Sequence, residues 1–211
     1  MKSYFLENYR KNLLSILLYN EMTVNCLRKF VDLIGFQAFN RFLGLLFIRG
    51  KVSAERKWFE ENVFCKYVQH LGPVLLIGVK SYSFHYLVCY SVFSELIVLE
   101  PNRGFEIPAK INRLAIRLEQ AEFDSNSIGF VDCHGVYGYG LNDETSVRKS
   151  IEMLTKSMAK KGRFLFSINR DRDPILIYNK ENRDALFSPL VEEACFVTKT
   201  GVVYVFVKSD I

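Results

Sequence analysis

One segment, Pro73–Asn102, constrains the fold of this chain more than any other. It begins with an apolar run that ends at Gly78 and finishes with a second apolar run that ends at Glu100, and the residues between them are enough for one helix. A strand, a glycine turn, a helix and a second strand ending in a carboxylate hold many nucleotide cofactors. Gly78 would let a ligand approach the backbone, and Glu100 would accept hydrogen bonds from ribose hydroxyls.

The same alternation of apolar strands and amphipathic segments continues to the C-terminus. The predicted strands are Val74–Val79, Leu96–Leu99, Ile128–Asp132, Arg163–Ile168, Cys195–Thr198 and Val202–Val207. The predicted helices are Tyr82–Phe93, Ala109–Gln120, Thr145–Lys160 and Asn182–Glu193. Strands separated by helices predict a parallel sheet, and the short link through Gly201 predicts a final hairpin. The expected fold is therefore α/β: a Rossmann-like, mostly parallel sheet with helices on both faces and a C-terminal antiparallel hairpin.

A helical segment, residues 1–70, is predicted to precede this domain, which spans residues 71–211. Apolar residues recur there at spacings of three and four, as at Val24, Leu27 and Val31. The aromatic run Phe36–Ile48 has three interpretations: packing against the main domain, a surface for a protein partner or a dimer, or peripheral contact with a membrane. In the main domain, Asn142 or Asp143 is expected to cap one helix, and Gly162 is expected to follow its end.

Composition indicates an ordinary globular protein. Of 211 residues, 49% are hydrophobic and 24% are charged, and the net charge is +5. Basic surfaces attract phosphates, so a nucleic-acid partner is an alternative, but a net charge this small does not favour it. The five cysteines form no CxxC pair and the three histidines are scattered, so we expect neither a disulfide framework nor a metal site. Charged residues interrupt the apolar start of the chain, which favours a cytoplasmic location.

The sequence resembles the class I S-adenosylmethionine-dependent methyltransferases. The similarity covers about two thirds of the chain in five stretches: VLLIGV (Val74–Val79), LIVLEPN (Leu96–Asn102), IGFVDCHGV (Ile128–Val136), IEMLTKSMAKKGRFLFSIN (Ile151–Asn169) and VEEACFVTKTGVVYVFVK (Val191–Lys208). HGVYGYGLND (His134–Asp143) is also similar to a segment of an uncharacterised methyltransferase-like branch. One departure is that the first turn has only one glycine, Gly78. Another is that the family's third strand, expected near Ala121–Phe123, is hard to recognise.

The resemblance implies S-adenosylmethionine as the cofactor and methyl transfer to a small polar acceptor, such as a sugar or another metabolite. The cofactor-binding residues it implies are Gly78, Val79, Lys80, Ser81, Glu100, Pro101 and Asn102. Asp132 and His134 follow a strand at the edge where such sheets bind ligands, so either is expected to take a proton from the acceptor. Tyr137 and Tyr139 are expected to stack on the substrate, and Arg170 is expected to pair with an anionic group on it.

Three other functions stay open from the sequence. A methyltransferase-like scaffold without catalysis, acting as an interaction subunit, is favoured by the glycine-poor turn. A nicotinamide dehydrogenase shares the strand–glycine–helix–acid unit, but the missing GxGxxG pattern and the final hairpin count against it. Nucleic-acid binding is the third. An enzyme is the favoured interpretation.

Overall fold

The computed structural model describes residues 13, 17, 21–34, 38–39, 41–43, 66, 72–79, 84–102, 107, 111–134, 136–137, 140–173, 177, 179–188, 190–197 and 201–209. In chain order its helices are α1 (Glu21–Ile34), α2 (Phe84–Phe93), α3 (Glu144–Ser157) and α4 (Lys180–Leu186). Its strands are β1 (Val74–Ile77), β2 (Leu96–Leu99), β3 (Asn112–Leu114), β4 (Ile128–Cys133), β5 (Met158–Asn169), β6 (Leu190–Val197) and β7 (Gly201–Lys208). Two 3-10 turns cover Leu118–Gln120 and Arg170–Arg172.

The strands form one seven-stranded sheet in the order β3-β2-β1-β4-β5-β7-β6. β4 pairs in parallel with both β1 and β5. β7 pairs antiparallel with β5 and with β6, so the last two strands are the predicted hairpin. A mostly parallel sheet with an antiparallel C-terminal pair confirms the predicted fold class.

The chain divides into two compact units. The first contains residues 1–71, 79–96 and 102–113, and the second contains residues 72–78, 97–101 and 114–211. The proposed boundary between residues 70 and 71 stays a prediction, because most of residues 1–70 lie outside the described part. The aromatic run Phe36–Ile48 lies largely outside it as well, and its three interpretations stay open.

The second unit is built around a cluster of aromatic rings on β5, β7 and the end of α4. Phe187 stacks on Phe206 with ring centroids 4.4 Å apart and an interplanar angle of 10°. Phe164 and Phe166 contact the same Phe187 ring at 6.0 and 5.1 Å. All four side chains are at most 3% exposed. Burial of such large apolar groups, at about 1.5–3 kcal/mol each, contributes strongly to holding the antiparallel strands on the parallel part of the sheet.

One of the predicted helices was wrong, and two others end earlier than predicted. Residues Ala109–Gln120 were predicted to form a helix between two strands. Instead the described part of this range forms β3 and a 3-10 turn, and the carbonyl of Leu114 accepts a hydrogen bond from the amide of Glu100 at 3.1 Å. Pairing with a neighbouring strand therefore overrides a local pattern that favoured a helix. The third strand lies here and not near Ala121–Phe123.

The other error concerns the C-terminal ends of helices. The helix predicted to continue to Lys160 ends at Ser157, and β5 begins at once with Met158. Gly162 does not follow the helix but lies within β5. Four residues there, 159–162, stand opposite the single residue Gly129 of β4, and Lys161 has a φ of 59°. Similarly, α4 stops at Leu186, and β6 begins at Leu190 instead of Cys195.

The start of α3 agrees with the sequence. Asp143 is its N-cap, and the Asp143 Oδ1 atom accepts a hydrogen bond from the amide of Ser146 at 2.8 Å. That amide bond, together with the Ser146 side chain, lowers the pKa of Asp143. Because the folded-state pKa lies below the unfolded-state value, this stabilisation is present at neutral pH and is lost as pH falls below about 4.

We therefore expect Asp143→Ala to lower the melting temperature by a few degrees at neutral pH, since an alanine leaves the first helical amides uncapped. The difference from the wild type should shrink as the pH is lowered from about 4 to about 2, because the native carboxylate becomes protonated as pH falls through its lowered pKa. Circular dichroism melts at the two pH values measure it. Asp143→Asn is the control, because asparagine caps without a charge and should melt near the wild type. An unchanged gap at low pH would contradict the assignment.

Candidate functional site

Three neighbouring strands bring the predicted site residues to one edge of the sheet. β2, β1 and β4 are adjacent in the sheet order, and Glu100, Gly78 and His134 come directly after their C-terminal ends. The register aligns Leu76 of β1 with Asp132 of β4. In open α/β sheets ligands bind outside the carboxyl ends of the strands, at the edge where these residues gather.

Gly78 makes the turn that the sequence predicted. Its φ is +74°, a conformation that strains any residue with a Cβ atom. The amide of Gly78 donates to the carbonyl of Leu99 at 2.9 Å, so the turn after β1 lies against the residue before Glu100. A Cβ on Gly78 would lie 2.9 Å from Cγ2 of Val136. The loop after β4 therefore packs directly against this turn.

Glu100 is an acid at the end of a buried strand. Its residue surface is 6% exposed, and its amide is fixed by the hydrogen bond to Leu114 described above. Pro101 and Asn102, which follow it, are exposed. A carboxylate in such a shielded position forms stronger hydrogen bonds to hydroxyl groups than one in open solvent. Glu100 therefore suits the recognition of a diol such as ribose.

Asp132 and His134 differ in accessibility. Asp132 is 1% exposed, and its Oδ1 atom accepts a hydrogen bond from the amide of His134 at 3.1 Å. His134 itself is exposed. The carboxylate thus fixes the turn that carries the imidazole. Cys133, between the two, lies in the core, and its pKa is raised, first by burial and then by the charge of Asp132.

This environment predicts the order in which the cysteines react. Iodoacetamide should label the exposed Cys26 first, then Cys195, whose pKa burial raises, while the buried Cys133 stays unmodified in the folded protein. Timed alkylation followed by peptide mass spectrometry measures the order. Labelling in denaturant is the control, because all three thiols should then react. Native labelling of Cys133 as fast as Cys26 would contradict the buried position.

The loop after β4 differs from expectation at Tyr137. Its ring is 1% exposed and contacts Phe166 with centroids 5.4 Å apart, so it lies in the core and not on an open rim. Its hydroxyl donates to Oδ1 of Asp173 at 2.5 Å, and the same oxygen accepts the amide of Ile177 at 2.8 Å. Stacking of a substrate on Tyr137 would require the ring to leave this position.

Asp173 is the residue that the sequence did not single out. It links the loop after β4 to the segment after β5, which begins with the exposed Arg170. The run Asn169–Pro174 has the pattern of a charged loop. Its last acid, Asp173, bonds to Tyr137, which lies 36 residues earlier, and no sequence pattern predicts that pairing. Of the other predicted site residues, Val79 is buried, whereas Lys80, Ser81 and Tyr139 lie outside the described residues.

Two further searches cover the described residues alone. Within them, no group of three or more histidine, cysteine, aspartate or glutamate side chains is arranged to hold a metal ion. The helices of the same part include none that is both long and apolar enough to cross a bilayer.

Comparison with known proteins identifies the fold. No protein-family model and no curated protein matches this sequence. Among solved structures, the chain resembles a S-adenosylmethionine-dependent methyltransferase from Methanosarcina mazei, with 10% identity, a TM-score of 0.56, and coverage of 70% of this chain and 97% of the other. It also resembles the N-methyltransferase NodS from Bradyrhizobium japonicum, with 18% identity, a TM-score of 0.51, and coverage of 66% and 87%.

A third neighbour is a TehB-like S-adenosylmethionine-dependent methyltransferase from Corynebacterium glutamicum, with 14% identity, a TM-score of 0.52, and coverage of 65% of this chain and 80% of the other. All three similarities have TM-scores above 0.5 and cover about two thirds of this chain. This protein therefore has the fold of the class I S-adenosylmethionine-dependent methyltransferases, at 10–18% sequence identity to these neighbours.

Proposed function

We propose that this protein binds S-adenosylmethionine and transfers its methyl group to a small polar acceptor, such as a sugar or another polar metabolite. The observation that carries the proposal is the hydrogen bond of 2.9 Å between the amide of Gly78 and the carbonyl of Leu99. It joins the glycine turn to the strand end that presents Glu100. The names of the structural neighbours support the same cofactor.

Glu100 would accept hydrogen bonds from the two ribose hydroxyls, and the turn at Gly78 would let the cofactor approach the backbone. Both positions fit this role, because the carboxylate is shielded and the φ of +74° suits glycine. The family resemblance implies that the rest of the proposed cofactor-binding site is formed by Val79, Lys80, Ser81, Pro101 and Asn102.

Bound S-adenosylmethionine supplies a sulfonium methyl group that a nucleophile can attack. Asp132 or His134 would take the proton that the acceptor hydroxyl or amine loses in that attack. Arg170 and Tyr139 would hold the acceptor in line with the methyl group. Alignment of two bound reactants accounts for much of the rate enhancement in such a reaction, so few further groups are needed.

Calorimetric titration of the purified protein with S-adenosylmethionine and S-adenosylhomocysteine tests the binding step, with NAD as the matched control nucleotide. We expect one site for each methionine-derived compound and no heat from NAD. Tritium transfer from methyl-labelled S-adenosylmethionine to a pool of sugars and polar metabolites tests the reaction. A folded protein that binds neither compound would overturn the proposal.

A non-catalytic scaffold is the second candidate. It is favoured by the position of Val136. The Cγ2 atom of Val136 lies 2.9 Å from where a Cβ atom on Gly78 would be, so this side chain fills part of the space over the turn. A scaffold of this kind would bind no S-adenosylhomocysteine and would recognise a protein partner instead. Absence of S-adenosylhomocysteine binding by the folded protein would favour this candidate over the enzyme.

A further inference from the structure

A cavity of about 540 Å³ lies within the first unit, apart from the residues proposed to bind the cofactor. Its polar walls come from the first two turns of α1, from the C-terminal end of α2 and from the residues before β2. This volume is within the range of small-molecule sites in proteins. The groups that face it restrict which kind of molecule it would take.

Arg28, an exposed residue of α1, provides a positive charge that two hydrogen bonds orient. Its Nε atom donates to the carbonyl of Val92 in α2, and its Nη1 atom donates to Oδ1 of Asn25 at 3.2 Å. These bonds hold the guanidinium across the gap between the two helices. These two bonds leave both hydrogens of Nη2 and one hydrogen of Nη1 for other acceptors. A guanidinium held in this way can bind a carboxylate through two parallel hydrogen bonds.

Ser91 provides a hydroxyl group that requires a partner. Its Oγ atom is buried and has no hydrogen bond within the part of the chain that the structure describes, and the residue lines the same cavity. A buried hydroxyl without a partner is less stable than one that is hydrogen-bonded. A ligand oxygen in the cavity would remove this cost.

The acidic residues exclude a simple anion as the preferred ligand. Glu21 and Glu95 also line the cavity, so two carboxylates face it beside the single guanidinium of Arg28. A phosphate would be attracted by Arg28 but repelled by both acids. A molecule that carries an ammonium group as well as a carboxylate has a partner for each charge. The apolar side chains of Val24, Leu96 and Ile111 also line the cavity and suit an aliphatic group.

We infer that this cavity binds a free aliphatic α-amino acid. The ligand carboxylate would contact Arg28 and Ser91, and its ammonium group would contact Glu21 or Glu95. The site is independent of the proposed cofactor site and does not require methyl transfer. S-adenosylmethionine also carries an amino-acid group, so the experiment has to separate the two sites.

Calorimetric titration of the intact protein with L-leucine tests the inference. L-leucine methyl ester and N-acetyl-L-leucine are the matched probes, because each lacks one of the two charges. We expect L-leucine to bind and each derivative to bind at least about tenfold more weakly. Absence of L-leucine binding, or equal binding of all three compounds, would overturn the inference.

Variants distinguish this site from the proposed cofactor site. Arg28→Lys should weaken L-leucine binding about tenfold, because lysine cannot form the two parallel bonds. Ser91→Ala adds no bulk and should weaken it about fivefold even if Arg28→Lys does not fold. Glu100→Gln should leave L-leucine binding unchanged while it weakens S-adenosylhomocysteine binding. Unaltered L-leucine affinity in both Arg28→Lys and Ser91→Ala would place the ligand elsewhere and contradict the inference.

Discussion

Glu100→Gln is expected to weaken S-adenosylhomocysteine binding between about tenfold and about a hundredfold. The reason is the loss of charge-assisted hydrogen bonds to the ribose hydroxyls, each of which is worth about 1.5–3 kcal/mol. Glutamine has nearly the same shape, so the buried position next to Leu99 should stay filled. Calorimetry gives the dissociation constants, and thermal unfolding shows whether the variant is as stable as the wild type.

Glu152→Gln is the matched control for this prediction. Glu152 is an exposed acid on α3, in the same unit as Glu100, and is not part of the proposed cofactor-binding site. Its replacement should leave the dissociation constant within about twofold of the wild type. If Glu100→Gln bound S-adenosylhomocysteine as tightly as this control does, Glu100 would not be the ribose acceptor.

The second large effect is expected from Gly201→Ala, which should lower the free energy of unfolding by about 3 kcal/mol or more. Gly201 is paired with Asn169 of β5, and a Cβ atom there would lie 2.1 Å from the carbonyl oxygen of Ile168. The clash is with backbone, so β5 and β7 must separate to relieve it. Urea unfolding followed by fluorescence or circular dichroism measures the change.

Gly140→Ala is the control for that experiment. No atom lies within 4 Å of a Cβ placed on Gly140, so its replacement should change the free energy of unfolding by less than about 1 kcal/mol. Equal stability of the two alanine variants would mean that β7 does not pair with β5 in the register described here.

Much of the sheet could be predicted from local sequence. β2 has the predicted bounds, Leu96–Leu99, because a short apolar run between a helix and an acid has few alternatives. The final hairpin was predictable for a similar reason, since Gly201 lies between two β-rich runs. Short-range signals therefore sufficed where the local preference and the tertiary environment agree.

The errors occurred where tertiary contacts decide the structure. β3 has only three residues, and its pairing to the residues after β2 is not encoded in its own periodicity. The switch from α3 to β5 takes place between Ser157 and Met158 without a glycine or a proline, so no local signal marks it. The irregularity at residues 159–162 of β5 has a similar origin, because it depends on the register with β4.

The residues of the candidate site also fall into those that a local pattern predicts and those that tertiary contacts decide. Gly78 and Glu100 could be selected from one short segment because their relation is set by a single strand–turn–helix–strand unit. The contact of Val136 with the turn and the bond from Tyr137 to Asp173 could not be selected, since they join loops that are distant in sequence. The cavity beside Arg28 depends on the packing of α1 against α2 and has no sequence pattern either.

A crystal structure of the protein with S-adenosylhomocysteine would show whether Glu100 and the turn at Gly78 bind the cofactor. We expect the carboxylate oxygens of Glu100 to lie about 2.5–3 Å from the two ribose hydroxyls, with the ligand passing over the turn at Gly78. Adenosine bound at another edge of the sheet, with Glu100 away from the ribose, would contradict it.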